Sequence, residues 1–202
     1  MVSRADRQVA DIAELLVWHT LQRPPTLGAA RLVCVDGPAG AGKTTLARAI
    51  VAEAAGHGTT RLVHMDDVYE GWSGLDAAVH RVADELVAPL ARGDAGRYQR
   101  YDWETGSLAE WHTVEPVDLL VIEGVGSGAA AYDVLITTLV WVEAPAAVRL
   151  QRGLARDGEA MRAEWLAWMA TEERLHTAER TRARAHVVVD GTGERDTAVT
   201  FA

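Results

Sequence analysis

The sequence predicts an α/β protein, a mostly parallel sheet flanked by helices on both faces in three layers. Three observations carry that expectation. Short apolar, β-branched runs alternate along the chain with longer helical patterns, and a glycine-rich stretch stands between the first such run and the helix after it. The 202 residues also have ordinary globular usage, with 49% hydrophobic and 24% charged residues, which excludes disordered and collagen-like chains. Alternation of this kind calls for parallel strands, because each crossover helix returns the chain to the same end of the sheet. A chain of this length forms one domain with a sizeable core more readily than two, so residues 1–202 are read as a single domain.

The elements follow in order. Residues 6–22 place Val9, Ile12, Ala13, Leu16 and Val17 at helical spacing until Pro24-Pro25 stops the pattern, which predicts a leading helix within residues 1–28. Arg31–Asp36 is a short apolar run ending in glycines, a buried strand entering a loop. Thr44–Ala55 carries Leu46, Ile50 and Val51 on one face and is closed by Gly56 and Gly58, as expected of a helix with a C-terminal stop. Arg61–Met65 reads as a second strand, Leu75–Leu90 as a helix, Val117–Ile122 as a third strand and Leu139–Val142 as a fourth. Ala146–Arg156 and Glu159–Arg184 read as helices and Val187–Val189 as the last strand. The stretch from about 93 to 115 has no clean period and is expected to be irregular. Its Tyr98, Tyr101, Trp103 and Trp111 suit either a ligand-facing loop or a flap packed on the core.

Charge and cysteine usage narrow the function classes. Twenty Lys and Arg against 29 Asp and Glu leave a net charge of −9, a field that repels phosphodiester backbones and anionic lipid, so neither nucleic acid nor membrane is expected as a partner. No apolar run approaches the roughly 20 residues of a membrane-spanning helix, and Arg4, Asp6, Arg7 and Asp11 are wrong for a secretory signal. Cys34, the single cysteine, lies inside a strand pattern and is read as a buried thiol, so a cytoplasmic location is expected. Homo-oligomerisation stays open.

Gly37-Pro38-Ala39-Gly40-Ala41-Gly42-Lys43-Thr44 fits G-x-x-x-x-G-K-[ST] without a gap, between the first strand and the helix that follows it. Glycines let backbone N–H groups turn inward on phosphate oxygens, and the following helix adds its positive N-terminal dipole. A P-loop of this kind binds the tail of a nucleoside triphosphate, and the fold expected is the three-layer P-loop type. Gly37, Ala39, Gly40, Ala41, Gly42 and Thr45 are its expected nucleotide contacts, with Lys43 on the β- and γ-phosphates and the Thr44 hydroxyl on Mg²⁺. Motor, GTPase and kinase readings all remain open at this point, although the Asn-Lys-x-Asp guanine reader of a GTPase does not occur.

In open parallel sheets, ligands lie beyond the carboxyl ends of the strands. Asp66 and Asp67 follow the second strand and Glu123 the third. Such a set suits a kinase, with one carboxylate to accept a hydroxyl proton and others to support the metal. Asp67 serves equally as a cap. The glycines at 124, 126 and 128 serve either close approach to a ligand or a plain turn.

These residues resemble the uridine kinase family of P-loop kinases, with its pantothenate kinase and phosphoribulokinase relatives. Val35–Ala47 is similar to that family's first motif, and Met65-Asp66-Asp67-Val68-Tyr69 to its motif of Asp, any residue, Phe and Tyr. Tyr101-Asp102-Trp103 resembles its Tyr-Asp-Phe element, and Val121-Ile122-Glu123-Gly124 its strand ending in a metal-linked glutamate. The resemblance implies Asp66 as catalytic base and also near the metal, Glu123 and Thr44 as metal-supporting residues, and Tyr69, Tyr101, Asp102 and Trp103 around the acceptor. The segment at about 93–115 is then the acceptor-binding part of a kinase core over 31–190. The His and Arg with which uridine kinases read pyrimidine have no counterpart in Glu104–Trp111.

Arg149, Arg152 and Arg156 recur along one side of a helix and resemble the family's lid, which is short here because Gly158 follows Asp157 directly. Arg152 is expected on nucleotide phosphates and Arg156 in catalysis. Trp165, Trp168 and Met169 read as a core stripe, and Glu172 and Glu173 as substrate contacts or a charged face. The reading is an ATP- and Mg²⁺-dependent kinase acting on a hydroxyl of a small molecule. The alternative is a nucleotide-binding regulatory module with little or no acceptor phosphorylation.

Overall fold

The computed structural model describes residues 4–194 and 199–201. Helix α1 (Arg4–Leu21) leads into β1 (Arg31–Asp36), the phosphate-type loop and α2 (Lys43–Ala54), followed by β2 (Thr60–His64). After two short turns, α3 (Leu75–Arg81) runs through a π-helical stretch at Val82–Val87 into α4 (Ala88–Ala91). Strands β3 (Gly96–Asp102), β4 (Ser107–Val114), β5 (Leu119–Glu123) and β6 (Thr138–Glu143) come next. The chain then forms α5 (Ala146–Asp157), α6 (Arg162–Glu179), α7 (Thr181–Arg184), β7 (Val187–Asp190) and β8 (Val199–Phe201).

The main sheet has the order β2-β5-β1-β6-β7-β8. All its pairings are parallel except β7 with β8. Burial on both faces explains the unbroken apolar strands: Leu32 and Cys34 of β1 join one core, while Val33 and Val35 join the other. The second core is closed by α1 and α2, where Ile12, Ala13, Leu16 and Val17 meet Leu46, Ala47 and Ile50, so the leading helix is part of the domain. Cys34 is fully buried, and burial pushes its thiol well above the ordinary range. No helix among the described residues is long and apolar enough to cross a membrane.

Three expectations need correction. The segment at 93–115 is not irregular: β3 and β4 form an antiparallel hairpin. Its register slips between Gln99 and Tyr101, and most of its side chains are partly or wholly exposed, so the alternation that marks a one-face-buried strand is never written into the sequence. Val187–Val189 is not the last strand, because β8 adds an antiparallel edge of only three residues, two of them exposed. The helix expected over Glu159–Arg184 is interrupted at Arg180, whose φ of 51° ends α6 and starts α7.

Candidate active site

The loop after β1 owes its path to glycine. Gly37 has φ 137°, and a Cβ there would overlap the carbonyl oxygen of Val142 on β6. The base of the loop hangs on Asp36, a wholly buried carboxylate that accepts the amides of Gly37, Gly126 and Gly128 and meets Nε2 of His176 at 3.1 Å. Burial pushes its pKa up, but His176 and the amides outweigh that and leave it lowered. The glycine run after Glu123 is therefore a turn pinned to Asp36, and it offers Val125 to the cleft.

Lys43, the only lysine of the chain, folds back and donates to the carbonyl of Pro38 at 3.1 Å. Thr44 donates its hydroxyl to Oε1 of Glu123 at 3.0 Å, and Nδ1 of His64 lies 2.6 Å from the same oxygen. His64 and Glu123 are register partners at the ends of β2 and β5, which is why they meet. The carboxylate of Glu123 raises the pKa of His64. Oε2 of Glu123 has no hydrogen bond among the described residues. Thr44 and Glu123 suit Mg²⁺, which takes one or two protein oxygens and leaves the rest to phosphates and water. Among the described residues there is no cluster of three or more His, Cys, Asp or Glu that would hold a metal alone.

Asp66 sits on the turn after β2 and lines the same cleft, a space of about 980 Å³. The residue is exposed along that cleft. Burial, then the charge of Glu123, raise its pKa, while Lys43, Arg156 and His64 oppose the rise. The tip of the hairpin crosses this turn, and Trp103 donates from Nε1 to the carbonyl of Asp66 at 2.9 Å. Tyr69 is buried, donates to the carbonyl of Val125 at 2.7 Å and packs on Trp168.

Of the residues expected at the site, Ala39, Gly40, Gly42, Lys43, Thr44, Thr45, Asp66, Tyr69, Trp103, Glu123, Arg152 and Arg156 line the cleft, and Asp67 joins them. Gly37, Ala41, Tyr101 and Asp102 do not. Asp102 is absorbed by the hairpin turn, where its Oδ1 accepts the amides of Glu104 and Thr105. Tyr101 backs Trp103 edge-on.

The arginines divide. Arg149 pairs with Glu172 at 2.7 Å, and together they grip Ala39: Glu172 accepts its amide at 2.8 Å and Arg149 donates to its carbonyl at 3.3 Å. Glu172 is buried, so the outer-face reading does not hold for it, whereas Glu173 is exposed. Arg152 donates to the carbonyls of Gly40 and Gly191. Arg156 binds Asp157 through two hydrogen bonds and lies over Trp165. The lid is no more than the turn from Gly158 to Met161. Trp165 and Trp168 are core residues and cleft walls at once. A second recess of about 80 Å³ lies behind Gly42, between Val9 and Ile12 of α1 and the loop carrying Gly191.

His64, Trp72 and the Glu172 clamp lay outside the sequence reading. The position of His64 at a predicted strand end was a usable signal; the clamp depends on packing between distant helices and left none.

Fold and site together define a P-loop nucleotide-binding protein. The chain belongs to the family of CobW/HypB/UreG nucleotide-binding domains, which matches residues 31–155. That stretch takes in the loop, Asp66 and Glu123 and stops before the tryptophans of α6. No curated protein matches the chain. Among solved structures, a possible uridine kinase from Bacillus stearothermophilus is 22% identical, with TM-score 0.61 over 90% of this chain and 97% of that one. D-glycerate 3-kinase from Cryptococcus neoformans is 12% identical, with TM-score 0.56 over 96% and 99%. At these identities the likeness is one of fold.

Proposed function

We propose that this chain is an ATP- and Mg²⁺-dependent phosphotransferase that moves the γ-phosphoryl group onto a hydroxyl of a small molecule. The observation carrying the reading is that Lys43, the Thr44–Glu123 pair and the partnerless carboxylate of Asp66 converge on one cleft whose far half is walled by aromatic side chains. A triphosphate tail would draw Lys43 off the Pro38 carbonyl onto the β- and γ-phosphates. Thr44 and Glu123 would hold Mg²⁺, which would supply neutralising charge to those phosphates. The acceptor oxygen attacks the γ-phosphorus as the bond to the β–γ bridging oxygen breaks. ADP leaves, and the hydroxyl proton passes to Asp66 and then to water. Arg156, paired with Asp157, would meet the transferred group, and Arg152, bonded to the Gly40 carbonyl, would hold the loop. The kinase-like fold of the solved structures supports this reading.

The family match fits a second reading as well, a nucleotide-binding module with little acceptor phosphorylation, because the family is described by nucleotide binding alone. Acceptor-dependent ADP release across a panel of small alcohols decides between them: a rise with one class supports the phosphotransferase, and tight nucleotide binding without any rise supports the module.

A further inference from the structure

We infer that the acceptor is a cationic amino alcohol, a protonated or quaternary amine on an apolar body that carries the reacting hydroxyl. This rests on the phosphotransferase reading above.

The half of the cleft beyond Asp66 combines two features. The first is a cluster of tryptophans along the cleft wall. The ring of Trp72 is met nearly edge-on by Trp103 at 5.6 Å, Trp168 at 5.8 Å and Trp165 at 6.3 Å, with interplanar angles of 74°, 80° and 66°. Indole faces are the best π partners for cations, and the one of Trp165 already carries the Arg156 guanidinium at 5.7 Å. The second is a set of carboxylates without direct partners. Arg156 and Asp157 neutralise each other through two hydrogen bonds, and Asp157 also accepts the indole N–H of Trp165. That leaves the carboxylates of Asp66, Asp67 and Glu104 on the cleft, none with a hydrogen bond or ion pair among the described residues. Asp66 is exposed along the cleft. Carboxylates that line one cleft without direct partners draw a cationic ligand into it.

The same features oppose other acceptors. An anionic acid of the glycerate type would face three like charges. A nucleobase would find few donors for its carbonyls, because the Tyr69 hydroxyl and the N–H groups of Trp103 and Trp165 already donate to protein. A cation resting on the indoles beside Asp67 and Glu104 leaves its hydroxyl free to turn to Asp66.

Matched probes test this. Choline and 3,3-dimethylbutan-1-ol differ in one charge at nearly constant shape, as do 2-amino-1-phenylethanol and 1-phenylpropan-1-ol. Binding to the full chain is followed by tryptophan fluorescence, and phosphorylation by ADP release, with uridine and glycerate as further acceptors. In at least one pair the cation is expected to bind about tenfold more tightly than its neutral partner and to be the better acceptor. Substituting Asp67→Asn and Glu104→Gln together is expected to reduce that preference at least about fivefold. Equal or absent binding within both pairs would overturn the inference, as would faster phosphorylation of neutral or anionic acceptors, which would leave the phosphotransferase reading intact. Preferential cation binding with no ADP release from any acceptor would instead overturn that reading, and with it the acceptor role.

Discussion

The hydroxyl of Thr44 donates to Oε1 of Glu123 across 3.0 Å, joining the first turn of α2 to the end of β5. That single bond links the loop that binds phosphate to the strand-end carboxylate, and His64 fixes the carboxylate from the other side. Three elements distant in sequence thus present one oxygen-rich edge beside Lys43, with Asp66 facing it across the cleft.

Lys43→Ala removes the only lysine of the chain. Because the side chain makes a single hydrogen bond, to a loop carbonyl, the fold should survive, with an unchanged circular dichroism spectrum. Turnover of ATP, measured as kcat/KM, should fall at least ~10²-fold with the loss of this charge from the transition state.

Asp66→Asn keeps the shape and removes the base. Its kcat at saturating acceptor should fall by about 10²- to 10⁴-fold, with KM for ATP little changed. A near-normal kcat would assign proton acceptance elsewhere.

The clamp on Ala39 gives a stability prediction. Glu172→Ala would strand Arg149, which is only 12% exposed, and unpair the Ala39 amide. Removing one partner of such a pair costs about 3–5 kcal/mol. Urea denaturation should show a loss of that order, together with weaker ATP binding because the loop loses its tether.

Asp36 gives a pH prediction. Its folded pKa lies below the ordinary 3.8, so its contribution to stability is fully present above 3.8 and is lost as pH falls through the lower folded value. Asp36→Asn turns an amide NH2 toward backbone N–H groups and should cost about 1–3 kcal/mol at neutral pH. The variant should also lose less further stability than the parent below pH 3.8, which melting temperatures across the acid range would reveal.

Gly191 approaches Ala41 so closely that a Cβ would overlap its carbonyl oxygen. Gly191→Ala should therefore push the loop after β7 away from the phosphate loop and free Arg152 from one of its two carbonyls. ATP affinity measured by calorimetry should weaken about tenfold.

The central strands of the main sheet were legible because they are buried on both faces, as with Arg31–Asp36, and the leading helix because it is amphipathic. The phosphate loop was legible because its chemistry is local: eight consecutive residues carry it. What escaped was set by packing and register. The β3–β4 hairpin is mostly exposed and bulged, so no alternation announces it. Asp102 sits in a motif that suggested the acceptor, yet a short polar side chain before a turn caps that turn first. Glu172 looked like one of two acidic residues on a helix surface, and only the crossing of α6 past the loop buries it against Arg149 and Ala39.

Phosphorus NMR of ATP, Mg²⁺ and an amino alcohol mixed with the protein tests the phosphotransferase most directly. A phosphate monoester should appear in step with ADP, and neither should form with Lys43→Ala. Inorganic phosphate as the sole product, or unchanged ATP bound to the protein across the whole acceptor panel, would contradict it.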